Sequence, residues 1–368
     1  MKLSVTKMNQ KMRKSTFELY KDFRGQESTV VSERKPSSNV LVLDGMNTFI
    51  RSWSVNPTMN ENGEHFGGMV GFLKSMSYSI RTLEATRCIV VFDGKGGSQR
   101  RRKIYPEYKD RKKVKYRVNR FHDEIMTVEQ EHALMRMQLV KLAKYLGFLP
   151  VTTMLYDNVE ADDVMAYLAT QVFTDEGDNV TLLSTDKDFL QLVTDHVKVY
   201  NPVKKLLFDP ETVYREYGMT PENYLMYRVL DGDKSDNIPG IPGMGIKTVQ
   251  KGFPMITEQE QCTVEKMLSH AEESEGGYKV YKTLLENAET LYRNFALMQL
   301  RDVNISGITK TKIMDRVFGE IPRLNKSKFT VEIMKDGLGE AFKSPFDWLY
   351  DGFTTLDVFA KQANEESV

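Results

Sequence analysis

The sequence predicts an α/β fold: a mainly parallel twisted sheet flanked by helices, then a helical C-terminal region. Three short apolar runs, each leading into a carboxylate, carry that expectation. They are Val40–Leu43 ending at Asp44, Cys88–Phe92 ending at Asp93, and Val180–Ser184 ending near Asp186. Continuous apolar runs of this length are expected of strands buried on both faces, as in a parallel sheet. Between them, Gly68–Leu83 and more clearly Ala133–Leu146 carry apolar residues at helical spacing. Strand–helix alternation of this kind argues for α/β architecture. In open α/β sheets the functional crevice lies beyond the carboxyl ends of the strands. Asp44, Asp93 and Asp186 are therefore expected to converge.

The 368 residues suffice for one large domain or two smaller ones. Residues 1–38 read as a polar extension, 39–230 as the α/β core, and 231–368 as a helical region whose clearest pattern is Tyr278–Leu300. No apolar run approaches the roughly 18 residues that span a bilayer. The N-terminus is polar and basic, so a secretory signal is not expected. Cys88 and Cys262 are far apart and have no metal-ligand spacing, which fits a reducing, cytoplasmic compartment.

Further acids lie in Asp157-Asn-Val-Glu160-Ala-Asp162-Asp163, in Ser184-Thr-Asp186-Lys-Asp188, and in Gly232-Asp233-Lys-Ser-Asp236. Each cluster has a local reading as a helix cap or a turn. Together they would crowd one crevice with carboxylates that have no matching bases in the same motifs. Such repulsion is relieved by hard divalent cations with oxygen ligands. The absence of His/Cys clusters points to Mg²⁺ or Mn²⁺ rather than Zn²⁺. Two such ions about 4 Å apart activate water and stabilise the leaving oxygen of a phosphodiester.

The formal net charge is +0, but its distribution is uneven. Arg100–Arg120 holds eleven Lys/Arg and two acids, a local charge of +9. A charge run is usually a solvated face. This one begins seven residues after Asp93 and interleaves Tyr105, Tyr108, Tyr116 and Phe121, which suit stacking on unpaired bases. Lys109 or Arg111 is placed to reach a phosphate. The turn Gly240-Ile-Pro-Gly243-Met-Gly245-Ile-Lys247 lets backbone approach a phosphate closely.

With these motifs in order, the chain resembles the flap endonuclease/5′ nuclease family, including phage ribonuclease H, phage 5′–3′ exonucleases and the 5′-nuclease domain of bacterial DNA polymerase I. The carriers are Leu-Asp44-Gly, Val-Phe-Asp93-Gly, Tyr105-Pro-Glu-Tyr-Lys109, Val-Glu160-Ala-Asp162-Asp163, Ser-Thr-Asp186-Lys-Asp188-Phe and Gly-Asp233-Lys-Ser-Asp236-Asn-Ile-Pro-Gly-Ile-Pro-Gly-Met-Gly. The resemblance covers about residues 38–300.

It implies one metal site from Asp44, Asp93, Glu160 and Asp162, and a second from Asp163, Asp186, Asp188, Asp233 and Asp236, with Asp186 able to serve both. The implied cofactors are two Mg²⁺, with Mn²⁺ as substitute. Residues 95–130 would form a helical arch over a 5′ single strand, with Lys109 as arch lysine, Tyr108 stacked on the terminal base, and Arg111 or Lys112 as second base. Residues 231–255 look like the family's helix–two-turn–helix duplex-binding element, which can also hold K⁺. On this reading Asp93, Asp162, Asp186 and Lys109 are catalytic. Arg100, Tyr108, Lys109, Arg111, Lys112, Gly240, Gly243, Gly245 and Lys247 bind DNA.

The expected reaction is phosphodiester hydrolysis near a 5′ end of branched or nicked DNA, or of RNA in an RNA–DNA hybrid. Removal of RNA primers in phage replication follows from the resemblance, as do a monomeric state, the host cytoplasm as its place, and a replication partner such as a single-stranded-DNA-binding protein. The rivals are a non-catalytic DNA-binding scaffold and an acidic-cleft ribonuclease on structured RNA. The intact acid set disfavours the first and the duplex-binding turn the second.

Overall fold

Burial on both faces explains the apolar runs. In β1 (Asn39–Asp44) Val40 and Val42 face one hydrophobic core while Leu41 and Leu43 face another. A computed structural model describes residues 39–110, 126–175, 177–258, 260–274 and 279–365. The chain continues through α1 (Gly45–Val55), α2 (Gly67–Thr82), β2 (Arg87–Asp93), α3 (Gln99–Ile104), α4 (Val128–Leu146), β3 (Thr152–Tyr156), α5 (Ala161–Tyr167) and β4 (Asn179–Leu183). A 3₁₀ turn (Lys187–Leu192) precedes β5 (Val197–Asn201) and β6 (Leu206–Phe208).

The sheet order is β3-β2-β1-β4-β5-β6, parallel except for β6, which pairs antiparallel with β5. The chain leaves β1 for β2 and β3 on one side, then crosses to β4 on the other. β1 and β4 thus flank the topological switch point, where a crevice opens beyond the strand ends. The expected strands are all present. β3 and β5 escape the apolar-run criterion because they are short and part-polar, with Leu155 of β3 exposed, and β6 because it has only three residues.

After β6 come α6 (Pro210–Tyr217) and α7 (Pro221–Asp231). Next are a two-stranded hairpin, β7 (Gly232–Asp233) with β8 (Ile238–Pro239), and then α8 (Ile246–Gly252). Gly232 has φ +74, and a Cβ on Gly240 would strike the backbone carbonyl of Asp231, so both positions need glycine. Then follow α9 (Val264–Glu273), α10 (Lys279–Glu286), α11 (Ala288–Met298), α12 (Gly307–Phe318), α13 (Lys326–Lys335), α14 (Gly339–Phe342) and α15 (Pro345–Glu365). The single helical pattern expected over Tyr278–Leu300 is interrupted at Asn287, whose side chain bonds back to the Thr283 carbonyl at 2.8 Å.

The sequence reading places everything after residue 231 in one helical region, whereas the structure divides it. Helices α7–α12 enclose one core with one face of the sheet. Phe329, Ile333, Leu349, Phe353 and Leu356 of α13 and α15 return to the other core, with α15 packed on α2 and β2. Among the described residues no helix is long and apolar enough to cross a membrane.

Phe353 is fully buried there. Phe353→Ala is expected to destabilise the protein by about 3–5 kcal/mol, read from urea unfolding. A loss below about 1 kcal/mol would mean that α15 is not part of the cooperative fold.

Candidate active site

Each strand-end acid is fixed by a local hydrogen bond. Asp44 closes β1 and accepts from the Asn47 backbone N–H at 2.9 Å and from the Ser184 hydroxyl at 3.1 Å. Asp93 closes β2 and accepts from the Ala161 N–H at 2.8 Å, which ties that strand end to the start of α5. Asp186 follows β4 and accepts from the Asp188 N–H at 2.8 Å. The capping roles are thus real, and they aim the acids toward one crevice. Asp162 and Asp163 sit in the first turn of α5, whose N-terminal dipole favours negative charge.

Three cations sort the acids, each supplied from outside the acidic motifs. Arg101 of α3 is buried and pairs with Glu160 and with both oxygens of Asp163 at 2.7 and 3.0 Å. Its Nε donates to the Leu297 carbonyl at 2.8 Å, which binds this pair to the end of α11. Arg228 of α7 is buried and bridges Asp188 at 2.7 Å and Asp233 at 2.6 Å. Lys109 Nζ lies 2.7 Å from Glu160 and 3.8 Å from Asp236. Neither arginine is marked in the sequence. Arg101 lies within a run of three arginines and Arg228 within an ordinary helix, although its place five residues before Asp233 puts it beside the last acidic motif.

Asp44, Asp93, Asp162 and Asp186 form no ion pair with Lys or Arg among the described residues. Burial pushes the Asp44 carboxyl up to about 6, with Asp93 and Asp186 adding to the rise. Burial, Asp188 and Asp233 push Asp186 up to about 7. Burial, Asp186 and Asp44 hold Asp162 well above the usual carboxylate range. Asp44, Asp93, Asp162 and Asp186 thus lie near enough to repel one another across one crevice. In contrast, burial raises Glu160, but Arg101 and Lys109 outweigh it and hold it low. Burial opposes the charge on Lys109, yet Asp162, Glu160 and Asp236 keep the ammonium strongly charged.

The basic segment is anchored to the hairpin turn. The Lys109 N–H donates to the Asp236 carbonyl at 2.9 Å, and Asn237 Nδ2 donates to the Glu107 carbonyl at 2.9 Å. Tyr108 is buried, and its hydroxyl donates to Glu160 and Asp236, each at 3.2 Å. That corrects its expected role: in this arrangement the ring offers no open face to a base. Arg100 is half-buried, 3.5 Å from Asp163. Gly243, Gly245 and Lys247 are exposed beyond the hairpin, and Gly240 lies within its tight return. Arg111, Lys112, Tyr116, Phe121 and the 1–38 extension lie outside the described residues.

As they stand, no three His, Cys, Asp or Glu side chains among the described residues form a group that would hold a metal ion. The donor chemistry nevertheless fits a hard divalent cation. Every free donor is a carboxylate oxygen, and the raised proton affinities are those of acids with no ion-pair partner, on which burial and neighbouring acids outweigh Lys109 and Arg228.

A parallel sheet with uncompensated acids at its switch point and an attached helix–hairpin–helix defines the resolvase-like 5′ nuclease class. The N-terminal resolvase-like domain of the 5′-3′ exonucleases matches residues 39–218, and their C-terminal SAM-fold domain matches residues 219–315. The chain belongs to the 5′-3′ exonuclease family. A 5′-3′ exonuclease of Buchnera aphidicola is 30% identical over 219 residues, covering 59% of this chain and 69% of that protein. One from Aquifex aeolicus is 34% identical over 208 residues, covering 56% and 66%. DNA polymerase I of Mycobacterium tuberculosis is 32% identical over 285 residues, 75% of this chain but only 28% of the polymerase.

Among solved structures, bacteriophage T5 flap endonuclease in a pseudo-enzyme–product complex with DNA and metal ions is 22% identical, with TM-score 0.58. The match covers 81% of this chain and 99% of that one. T5 5′-exonuclease with bound zinc is 24% identical, with TM-score 0.56 over the same shares. These likenesses establish the shared fold. α13–α15 lie beyond both matched domains.

The raised carboxyls set a pH dependence. Their folded pKa values near 6 and 7 exceed the ordinary 3.8, so between these limits the folded chain binds more protons than the unfolded chain. Stability from these groups is therefore present at low pH and lost as pH rises through about 7. With chelator present, the Tm is expected to be higher at pH 5.5 than at pH 8, and millimolar divalent metal should flatten that slope. A chelated protein that melts higher at pH 8 would contradict the crowding of Asp44, Asp162 and Asp186.

Proposed function

We propose that this protein is a structure-specific nuclease that hydrolyses phosphodiesters near the 5′ ends of branched or nicked DNA, and of RNA in RNA–DNA hybrids, with Mg²⁺ as the resident metal and Mn²⁺ as a substitute. The observation that carries this reading is the set of acids without basic partners, Asp44, Asp93, Asp162 and Asp186, at the switch point of the sheet. Divalent ions bound there would supply a metal-activated water and stabilise the leaving oxygen.

The remaining roles belong to the chain itself. Lys109 is the cation at the crevice mouth; exchanging its carboxylate partner for a scissile phosphate would orient that phosphate and neutralise charge developing on it. The ties from Glu107 and Lys109 to Asp236 and Asn237 join the rim of the crevice to the hairpin. A duplex gripped by Gly243, Gly245 and the start of α8 would thereby sit at a fixed distance from the acids, which supports cleavage at a junction. Carbonyls of the same turn suit a K⁺ ion. Release of a 5′-phosphate product and a 3′-hydroxyl is expected.

On a 5′-flap substrate, Asp162→Asn is expected to lower kcat by more than about 10²-fold, as loss of a metal ligand does, while affinity measured in Ca²⁺ stays within a few-fold. Lys109→Ala should lower kcat by about 10²–10³-fold, the scale of one lost electrostatic donor, with a smaller effect on KM. No cleavage by the parent chain with Mg²⁺ or Mn²⁺ would sink the reading, and a Lys109→Ala effect confined to KM would demote that residue to a binding contact.

A further inference from the structure

The family resemblance assigns five acids to a second divalent ion, and the structure gives four of them other partners. Arg101 takes Asp163, Lys109 lies near Asp236, and Arg228 takes both Asp188 and Asp233. Only Asp186 has no Lys or Arg partner among the described residues. Of the four acids assigned to the first ion only Glu160 is so engaged. The two sets therefore differ: three of the four acids of the first (Asp44, Asp93 and Asp162) have no ion-pair partner among the described residues, against one of the five of the second.

Arg228 is the strongest of these partners. Its Nε donates to Asp188 at 2.7 Å and its Nη2 to Asp233 at 2.6 Å, while Nη1 donates to the Gly232 carbonyl at 3.1 Å. Three donors of one planar fork thus fix two carboxylates and the backbone at the hairpin's start. A point charge cannot reproduce that geometry. The guanidinium is buried, and α7 is held in place by Asn294, which donates to the Val229 and Pro239 carbonyls at 3.0 and 2.8 Å. Asp233 in turn accepts from the Ser235 hydroxyl and N–H, each at 2.6 Å, so the guanidinium and the turn together hold this acid.

We propose that Arg228 is a resident cation of the distal half of the crevice: a positioning residue that holds Asp188 and Asp233 and leaves this chain one tight divalent-ion site, at Asp44, Asp93, Asp162 and Asp186. This rests on the metal-dependent reading above and departs from the two-site arrangement that the resemblance implies. A second ion competes with a guanidinium that already satisfies two of its ligands, so it binds weakly.

The test is Mn²⁺ titration of the full chain by calorimetry, without nucleic acid. One tight ion per chain is expected, with any second ion at least about tenfold weaker, the scale on which partners of metal ligands alter affinity. Arg228→Met should strengthen the second ion by about tenfold or more. Arg228→Lys, which keeps a charge but not the fork, should give a smaller gain. Asp188→Asn should leave the tight ion within about twofold, because Asp188 lies outside its shell.

Two ions of equal affinity in the parent chain would overturn the proposal, as would Arg228→Met that folds and still binds one, or loss of the tight ion in Asp188→Asn. Where Arg228→Met does not fold, Arg228→Lys decides: second-ion binding unchanged from the parent overturns the proposal. Two equal ions in a chain that cleaves flaps refute this inference alone. No divalent binding at all refutes the metal-dependent function with it.

Discussion

Repulsion between carboxylates governs this molecule. Parallel strands β1 and β2, the turn after β4 and the first turn of α5 all deliver acids to one crevice. Two like charges 4 Å apart cost about 4 kcal/mol at the effective dielectric of a protein surface. Several such pairs would rival the whole stability of a domain. The chain answers in two ways. Arg101, Arg228 and Lys109 neutralise the acids along the edge, and Asp44, Asp162 and Asp186 at the centre hold protons more tightly than usual. The uncompensated centre is the feature that suits a divalent cation.

The neutralising cations also join parts of the fold. Arg101 links the start of the basic segment to α5 and to the end of α11. Arg228 links α7 to the 3₁₀ turn after β4 and to the hairpin. Lys109 and Tyr108 seat the base of the basic segment on Glu160 and Asp236. The cation–π contact of Arg293 over Tyr105, 4.5 Å from the ring centroid, adds a tie from α11. Elements that are distant in sequence thus share one electrostatic network with the acids. A nucleic acid entering the crevice would meet the hairpin and the basic rim in fixed register.

Much of this is legible in the sequence, for identifiable reasons. A strand buried on both faces must be a continuous apolar run, and an acid at its end stands out, so Asp44, Asp93 and Asp186 declare themselves. The acids of α5 and the hairpin are visible as motifs. What hides is pairing. Whether Asp163 faces solvent, a metal or a guanidinium depends on where α3 places Arg101, and nothing in three consecutive arginines distinguishes the buried one. Tyr108 misleads for the same reason: an aromatic in a basic run suggests stacking, but its burial follows from the seating of Lys109 on the hairpin. The return of α15 to the sheet is likewise invisible, since an amphipathic helix does not announce which face it covers.

The central claim is that the acids without basic partners form the reactive centre, while those held by Arg101 and Arg228 frame it. Anomalous diffraction from crystals of the full chain grown with Mn²⁺ addresses this most directly. The account predicts that the strongest anomalous peak lies among Asp44, Asp93, Asp162 and Asp186, with Arg228 still against Asp188 and Asp233. A strongest peak between Asp188 and Asp233, with the Arg228 side chain turned away, would contradict it.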